Sequence, residues 1–202
     1  MAERDATMGA SREDALMPAI ADVVREAGMP MREVRAIVCG SGPGSFTSLR
    51  IAAAIAKGLA ESGARPLYAI SSMMLAALEL RAQPGVYVLH GDALRGERFV
   101  QRFEVTPSGT VAALGELARM PLAEVEQLAT ETRGALVAIG VKTVSESDVQ
   151  TVTARARNVV ELAKVWQTVT RVDIATWEPN YGRLAEAQVK WEETHQRALP
   201  LS

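Results

Sequence analysis

Leu16, Ile20, Val23, Val24 and Ala27 recur at helical spacing and predict a helix from Asp14 to about Ala27, closed by Gly28. Asp14 is the expected cap, because it leaves Pro18 at the edge of the first turn, where a missing N–H costs little. An unbroken apolar run, Val34 to Cys39, then predicts a buried strand, and a long Ala-rich run predicts a second helix from Thr47 to Ser62. On a helical wheel Arg50, Lys57 and Glu61 of that helix share one stripe, and the remaining positions form an apolar arc of roughly 220°. One sheet covers about half of that. Either a partner or another part of the chain must cover the surplus, and the small side chains of Ala52, Ala53, Ala56 and Ala60 allow another helix to come close. A further strand, residues 65–70, and a helix from Ser71 or Ser72 to Leu80 repeat the strand–helix order, so the strands are expected to pair in parallel. The class is α/β.

At Val86 the period changes to two. Residues 86–90 and 98–105 flank Asp92-Ala93-Leu94-Arg95-Gly96-Glu97, and Arg95-Gly96 suits a hairpin reversal. A turn at 107–110, a helix at 122–132, a strand at 135–139, a helix at 154–169, a loop at 179–183 and a helix at 184–195 complete the predicted elements. Three regions follow: a small and polar start at 1–10, an N-terminal lobe at 11–85 and a C-terminal lobe at 86–202.

Between the first strand and the Ala-rich helix lies Gly40-Ser41-Gly42-Pro43-Gly44-Ser45-Phe46-Thr47, a tight turn with either Ser45 or Thr47 as helix cap. Amides at a helix N-terminus attract anions, so a structural turn and an anion site both fit the stretch. A Walker loop does not, because Ser45-Phe46-Thr47 follows Gly44 where Gly-Lys-Ser/Thr is needed. A dinucleotide loop fails as well, with Ser45 at the third glycine position.

The chain has 202 residues, 48% of them hydrophobic, which suffices for one large domain or two lobes with cores. Only 4% are aromatic, leaving Ala, Val and Leu to fill the interior. A formal charge of −2 with interspersed signs excludes a strongly basic nucleic-acid surface. The single cysteine, Cys39, sits in a predicted strand and reads as a buried thiol, with no intramolecular disulfide to form. No run reaches membrane-spanning length and the start has no leader pattern, so the expected location is cytoplasmic. The histidines, His90 and His195, lack metal-ligand spacing, and Ser45 is not in a nucleophile elbow. Asp92 with Glu97 is the remaining acid–base pair, placed around a hairpin where carboxylates are usually solvated. No catalytic residue and no metal or cofactor ligand set is assigned.

Gly42-Pro43-Gly44-Ser45-Phe46-Thr47-Ser48-Leu49-Arg50-Ile51 resembles the Gly-Pro-Gly-Ser-Phe-Thr-Gly-Leu-Arg-Ile signature of the bacterial TsaB (YeaZ) family. Asp92 to Glu97 and Glu178-Pro179-Asn180-Tyr181-Gly182-Arg183 are similar to two further family motifs. The resemblance implies a two-lobed actin-like ATPase fold related to the glycoprotease-like group. It also implies a non-catalytic dimerisation subunit that binds a TsaD-type catalytic paralogue, with a TsaE-type ATPase, in making threonylcarbamoyladenosine in tRNA. tRNA would be reached only through that complex, and the isolated chain would form a homodimer. The partner-binding residues expected are Leu16, Ile20 and Val23 of the first helix and Leu49, Ala52, Ala53, Ala56 and Ala60 of the second. Gly40, Gly42, Pro43, Gly44, Ser45 and Thr47 form the structural glycine loop. The chain departs from the family at Ser48 and Ala52, which stand where the signature has glycines, and in having no counterpart of the family's opening strand and hairpin before Asp14. The Val34–Cys39 strand is therefore expected to keep an unpaired edge. A nucleotide-binding member of the actin-like superfamily and a self-associating protein outside the pathway are the alternative readings.

Overall fold

Two sheets organise the chain in a computed structural model that describes residues 1–6, 15–140, 149–162 and 169–181. The first has three strands in the order β1 (Ile37–Gly40), β2 (Leu67–Ile70), β8 (Thr170–Val172). β1 and β2 pair in parallel with Ile37 opposite Leu67, as two successive strand–helix units require, and β8 joins β2 antiparallel with Val172 opposite Leu67. The second sheet has the order β5 (Val111–Pro121), β4 (Glu97–Val105), β3 (Gly85–Asp92), β6 (Ala135–Ile139), β7 (Gln150–Val152). β3, β4 and β5 form an antiparallel meander, while β6 and β7 extend it in parallel.

The helices follow the predicted ones with shifts at their ends. α1 spans Leu16–Glu26 with Ala15 at its N-cap position and no side-chain cap, so the expected cap, Asp14, lies outside the described residues. α2 spans Phe46–Ser62 with Ser45 at the N-cap position. The hydroxyls of Ser45 and Thr47 make no cap hydrogen bond, so the expected side-chain cap is not formed. α3 (Ser72–Ala77) is capped as expected, with the Ser71 hydroxyl accepting from the amides of Met73 and Met74, and a 3-10 turn, Leu78–Leu80, continues it. α4 (Leu122–Thr132) ends at Arg133, which takes a left-handed conformation.

One expectation is corrected, one strand is new and one expectation is not tested. β5 was not foreseen, because Val111-Ala112-Ala113-Leu114 and Leu117-Ala118 carry no alternation and the strand is largely exposed. The helix expected at 154–169 is, among the described residues, a 3-10 turn at Ala156–Asn158 and the single turn of α5 (Val159–Leu162); Thr170 then enters β8. The helix expected at 184–195 lies outside the described residues.

α3 is apolar all round because it is packed on both sides. Met73, Ala76 and Ala77 meet Tyr87, Leu89 and Phe103 of the second sheet, while Leu75 joins Ile70 and Leu162 against the first. Asn158 ties this region together, donating from Nδ2 to the Leu75 carbonyl (2.9 Å) and to Glu79 Oε1 (2.7 Å). Val125 and Ala129 of α4 cover the opposite face of the second sheet, and α2 covers the first through Ala56 and Ala60 on Cys39 and Leu67.

Candidate partner interface and glycine loop

The glycine loop is stapled at every step. Ser41 donates its amide to the Ile70 carbonyl (2.7 Å) and accepts from the Asn180 amide (2.7 Å), and the Gly42 carbonyl accepts from the Ser72 amide (2.8 Å). Gly42 is buried with φ +92°, and an added Cβ would be driven into the Asn180 carbonyl oxygen. Gly40 is the last residue of β1, Pro43 is half-buried, and Gly44, Ser45 and Thr47 are exposed at the start of α2. The loop thus clamps β2, α3 and the 173–181 segment to β1. Its open side faces a cleft of about 460 Å³ towards the β3–β4 turn, and Asp92 is the one charged residue lining it. Asp92 Oδ1 accepts from the Leu94 amide (2.9 Å) and from Arg98 Nη1 (3.2 Å). A phosphate there would meet α2's amides and a carboxylate but no lysine or arginine among the lining residues, which favours the structural turn over the anion site.

His90, Asp92 and Glu97 do not meet one another. His90 is buried in β3 at 2% exposure, opposite Val100 and Ala138 of the flanking strands, whereas Asp92 is exposed at the strand end. Glu97 pairs with Arg119 at 3.1 Å across β4 and β5 rather than with Asp92. Among the described residues no three His, Cys, Asp or Glu side chains cluster as metal ligands, and His195 lies outside them. Burial pushes the Cys39 thiol up from 9.0 to about 11. The folded chain keeps that proton between pH 9 and 11 while the unfolded chain releases it, so stability falls as pH rises through this window. Cys39→Ala should remove a loss of at most about 3 kcal/mol from the alkaline limb of a denaturation series. Thiol titration at pH 8 should find native Cys39 unreactive until the chain unfolds.

The two helices expected to meet a partner are present as α1 and α2, but the structure turns most of the expected residues of α2 inward. Leu49, Ala53, Ala56 and Ala60 are each at most 8% exposed, because they are the side of α2 laid on β1 and β2. A second side is covered by the 173–181 segment: Phe46 stacks on Tyr181 at 4.6 Å between ring centroids, and Lys57 reaches Glu178 Oε1 at 3.2 Å beside Trp177. A third, carrying Ala52, Ile55 and Leu59, lines a groove shared with Leu16, Ile20 and Val23 of α1. The surplus apolar arc is therefore filled mostly by the same chain. What remains outward is the stripe of Ile51, Ala54, Ile55 and Gly58, opposite the buried side. Ala54 and Gly58 are exposed, and a Cβ added to Gly58 would meet nothing within 4 Å. Next to it α1 buries none of its residues, and Met17 and Met29, each 45% exposed, border a hollow lined by Ile20, Val24 and Leu59. A glycine in mid-helix, as at Gly58, weakens the helix and leaves its outer surface flat.

A family model described as "TsaD: tRNA N6-adenosine threonylcarbamoyltransferase" matches residues 9–190. The chain is 26% identical over 189 residues to the tRNA threonylcarbamoyladenosine biosynthesis protein TsaB of Bacillus subtilis, covering 88% of this chain and 82% of that protein. The Escherichia coli protein of the same name is 36% identical over 62 residues, or 31% of this chain and 27% of its own length. Among solved structures, an uncharacterized Pseudomonas aeruginosa protein with similarity to peptidase YEAZ superposes with TM-score 0.70 at 23% identity, covering 86% of this chain and 85% of its own. YeaZ from Pseudomonas aeruginosa gives TM-score 0.61 at 24% identity, covering 82% of each. These two carry the fold, which is the two-lobed one expected from the motifs.

Proposed function

We propose, from the premise that this chain belongs to the TsaB (YeaZ) family, that it is a non-catalytic subunit of tRNA threonylcarbamoyladenosine biosynthesis and works by holding a TsaD-type paralogue. The observation that carries this reading is the outward stripe of α2 beside α1, none of whose residues is fully buried. Small residues at Ala54 and Gly58 let a second helix pair approach closely, and Met17 and Met29 supply adaptable apolar contact around them. A two-fold arrangement would use this face for a homodimer in isolation and for the catalytic paralogue in the cell, so the two assemblies compete. A TsaE-type ATPase would join the assembled pair, and tRNA would be met only there.

Ala54→Arg is the test, since its side chain is exposed and the fold does not depend on it. Sedimentation of the purified chain and pull-down of the TsaD-type paralogue from the same cell should each show association weakened by 100-fold or more, from a cost of a few kcal/mol per buried guanidinium. Gly58→Ala is the companion: it should stabilise the monomer by about 0.5–1 kcal/mol while weakening both assemblies. Unchanged association in both variants would move the interface off these helices. Threonylcarbamoyl transfer to tRNA by the isolated chain would overturn the non-catalytic part.

A further inference from the structure

Among the described residues the large apolar side chains left exposed are Met1, Met17, Met29, Leu94 and Val160, and Met17 and Met29 line one hollow beside α1. Met17 stands in the first turn of α1 and Met29 beyond its C-terminus, each 45% exposed, and the half-buried Met31 lines the same hollow. The hollow, about 570 Å³, is otherwise built mainly from apolar side chains of α1 with Leu59 of α2. Its one polar side chain, Arg25, is bound to Asp22 at 2.6 Å.

Leucine at the two exposed positions would offer a similar apolar area. Methionine adds a thioether sulfur, which an oxidant converts into a polar sulfoxide when it can reach it. Other methionines are shielded: Met73 is 2% exposed, and Met74 and Met120 are packed against the core. The reactive sulfurs are thus placed on the face of α1 and α2 and kept out of the interior.

We propose that Met17 and Met29 are a reversible oxidation site that switches this face between a binding and a non-binding form, with a hydroperoxide as the oxidant. A sulfur lone pair attacks one peroxide oxygen, and the S–O bond forms as the O–O bond breaks. The hydroxide that leaves takes the proton from the new S–OH and departs as water. Sulfur has then given two electrons to the peroxide. Two thiols reverse the step, becoming a disulfide while the oxygen leaves as water. In the free chain, water satisfies the sulfoxide oxygen. Under a partner it would be a buried acceptor in a hollow whose one side-chain donor is held by Asp22, and that opposes association. A bound partner shields both sulfurs, so oxidation acts on the unassembled chain. The switch rests on the reading that this face meets a partner, whereas the selective oxidation does not.

The test treats the full chain with hydrogen peroxide, stops the reaction with free methionine, and follows peptide mass spectrometry, sedimentation and pull-down of the TsaD-type paralogue. Met17 and Met29 should gain one oxygen at least tenfold faster than Met73, Met74 and Met120. Association should weaken at least tenfold in the oxidised chain and return after methionine sulfoxide reductase with dithiothreitol. Met17→Leu with Met29→Leu, whatever its own affinity, should change less than twofold on peroxide treatment, which assigns the effect to these sulfurs and not to Met1 or Met8. Met17→Gln with Met29→Gln should copy the oxidised state without peroxide and keep its native circular dichroism, because both side chains are exposed. The proposal fails if Met17 and Met29 oxidise no faster than the shielded methionines, if the oxidised chain associates as the untreated one does, or if the leucine pair stays peroxide-sensitive. Ala54→Arg tells its failure from that of the reading beneath it. Association lost in Ala54→Arg but indifferent to peroxide removes the switch alone, and association untouched by Ala54→Arg removes both.

Discussion

Gly42→Ala is expected to lower the stability of the chain by about 3 kcal/mol, with a Tm fall of about 6–12 °C for a chain of this size. Two costs combine. Alanine at φ +92° carries left-handed backbone strain, and its methyl group would occupy the position of the Asn180 carbonyl, so the 173–181 segment must lift. Lifting breaks the 2.7 Å bond from the Asn180 amide to Ser41 and loosens Trp177, Glu178 and Tyr181 on α2. Gly44→Ala, two residues on, is the control: its added Cβ meets only Leu49 side-chain atoms at 3.8–3.9 Å, so its effect should be within about 0.5 kcal/mol. Thermal unfolding of the pair separates backbone necessity from glycine content. Equal effects would show that the loop yields.

The second large effect centres on Arg65. Its guanidinium donates to three carbonyls at once, from Nε to Val34 (2.8 Å), from Nη1 to Leu59 (2.9 Å) and from Nη2 to Met31 (2.8 Å). One side chain thereby joins the C-terminal turn of α2 to the chain leading into β1. Gly63 has no side chain because the guanidinium fills the space where a Cβ would stand. Arg65→Met should cost about 2–4 kcal/mol, since charge-assisted bonds of this kind are worth more than neutral ones and the three carbonyls lose their partner together. Arg65→Lys should recover less than half, because an ammonium cannot span three acceptors held in a fork. Gly63→Ala should approach the Arg65→Met value by displacing the same group. Urea denaturation of the three variants is the measurement, and a fully rescuing lysine would count against the fork.

Elements with local causes were legible in the sequence. The periods of α1, α2 and α4, the Ser71 cap and the β3–β4 hairpin each arise from residues within one turn or one ladder step, and they are found within three residues of their predicted bounds. β5 and β8 were not legible, because they are strands only by virtue of a neighbour: β5 is exposed and lies on β4, and the three residues of β8 are ordered by β2. Which side of α2 faces outward was not legible either. The wheel set Arg50, Lys57 and Glu61 in one stripe and left the rest as a single apolar arc; Arg50 and Glu61 are exposed, Lys57 is spent on Glu178 and Trp177, more than a hundred positions away, and within the arc the outward stripe is the one with Gly58. Arg65 gave no signal at all, since its acceptors are backbone carbonyls and no side-chain pattern records them.

The antiparallel contact of Leu67 with Val172 has a consequence for synthesis on the ribosome. β1, α2 and β2 emerge as a unit, but the strand that closes the far edge of β2 follows about 100 residues later, and at about 5–20 residues per second that is roughly 5–20 s. For that interval the nascent chain carries a short parallel pair open along both edges, with Leu67 and Cys39 screened only by α2. The second sheet, whose strands from β3 to β5 follow one another directly, can complete its meander first. The order of folding would then run against the order of translation, and the first-made sheet would be the last one sealed.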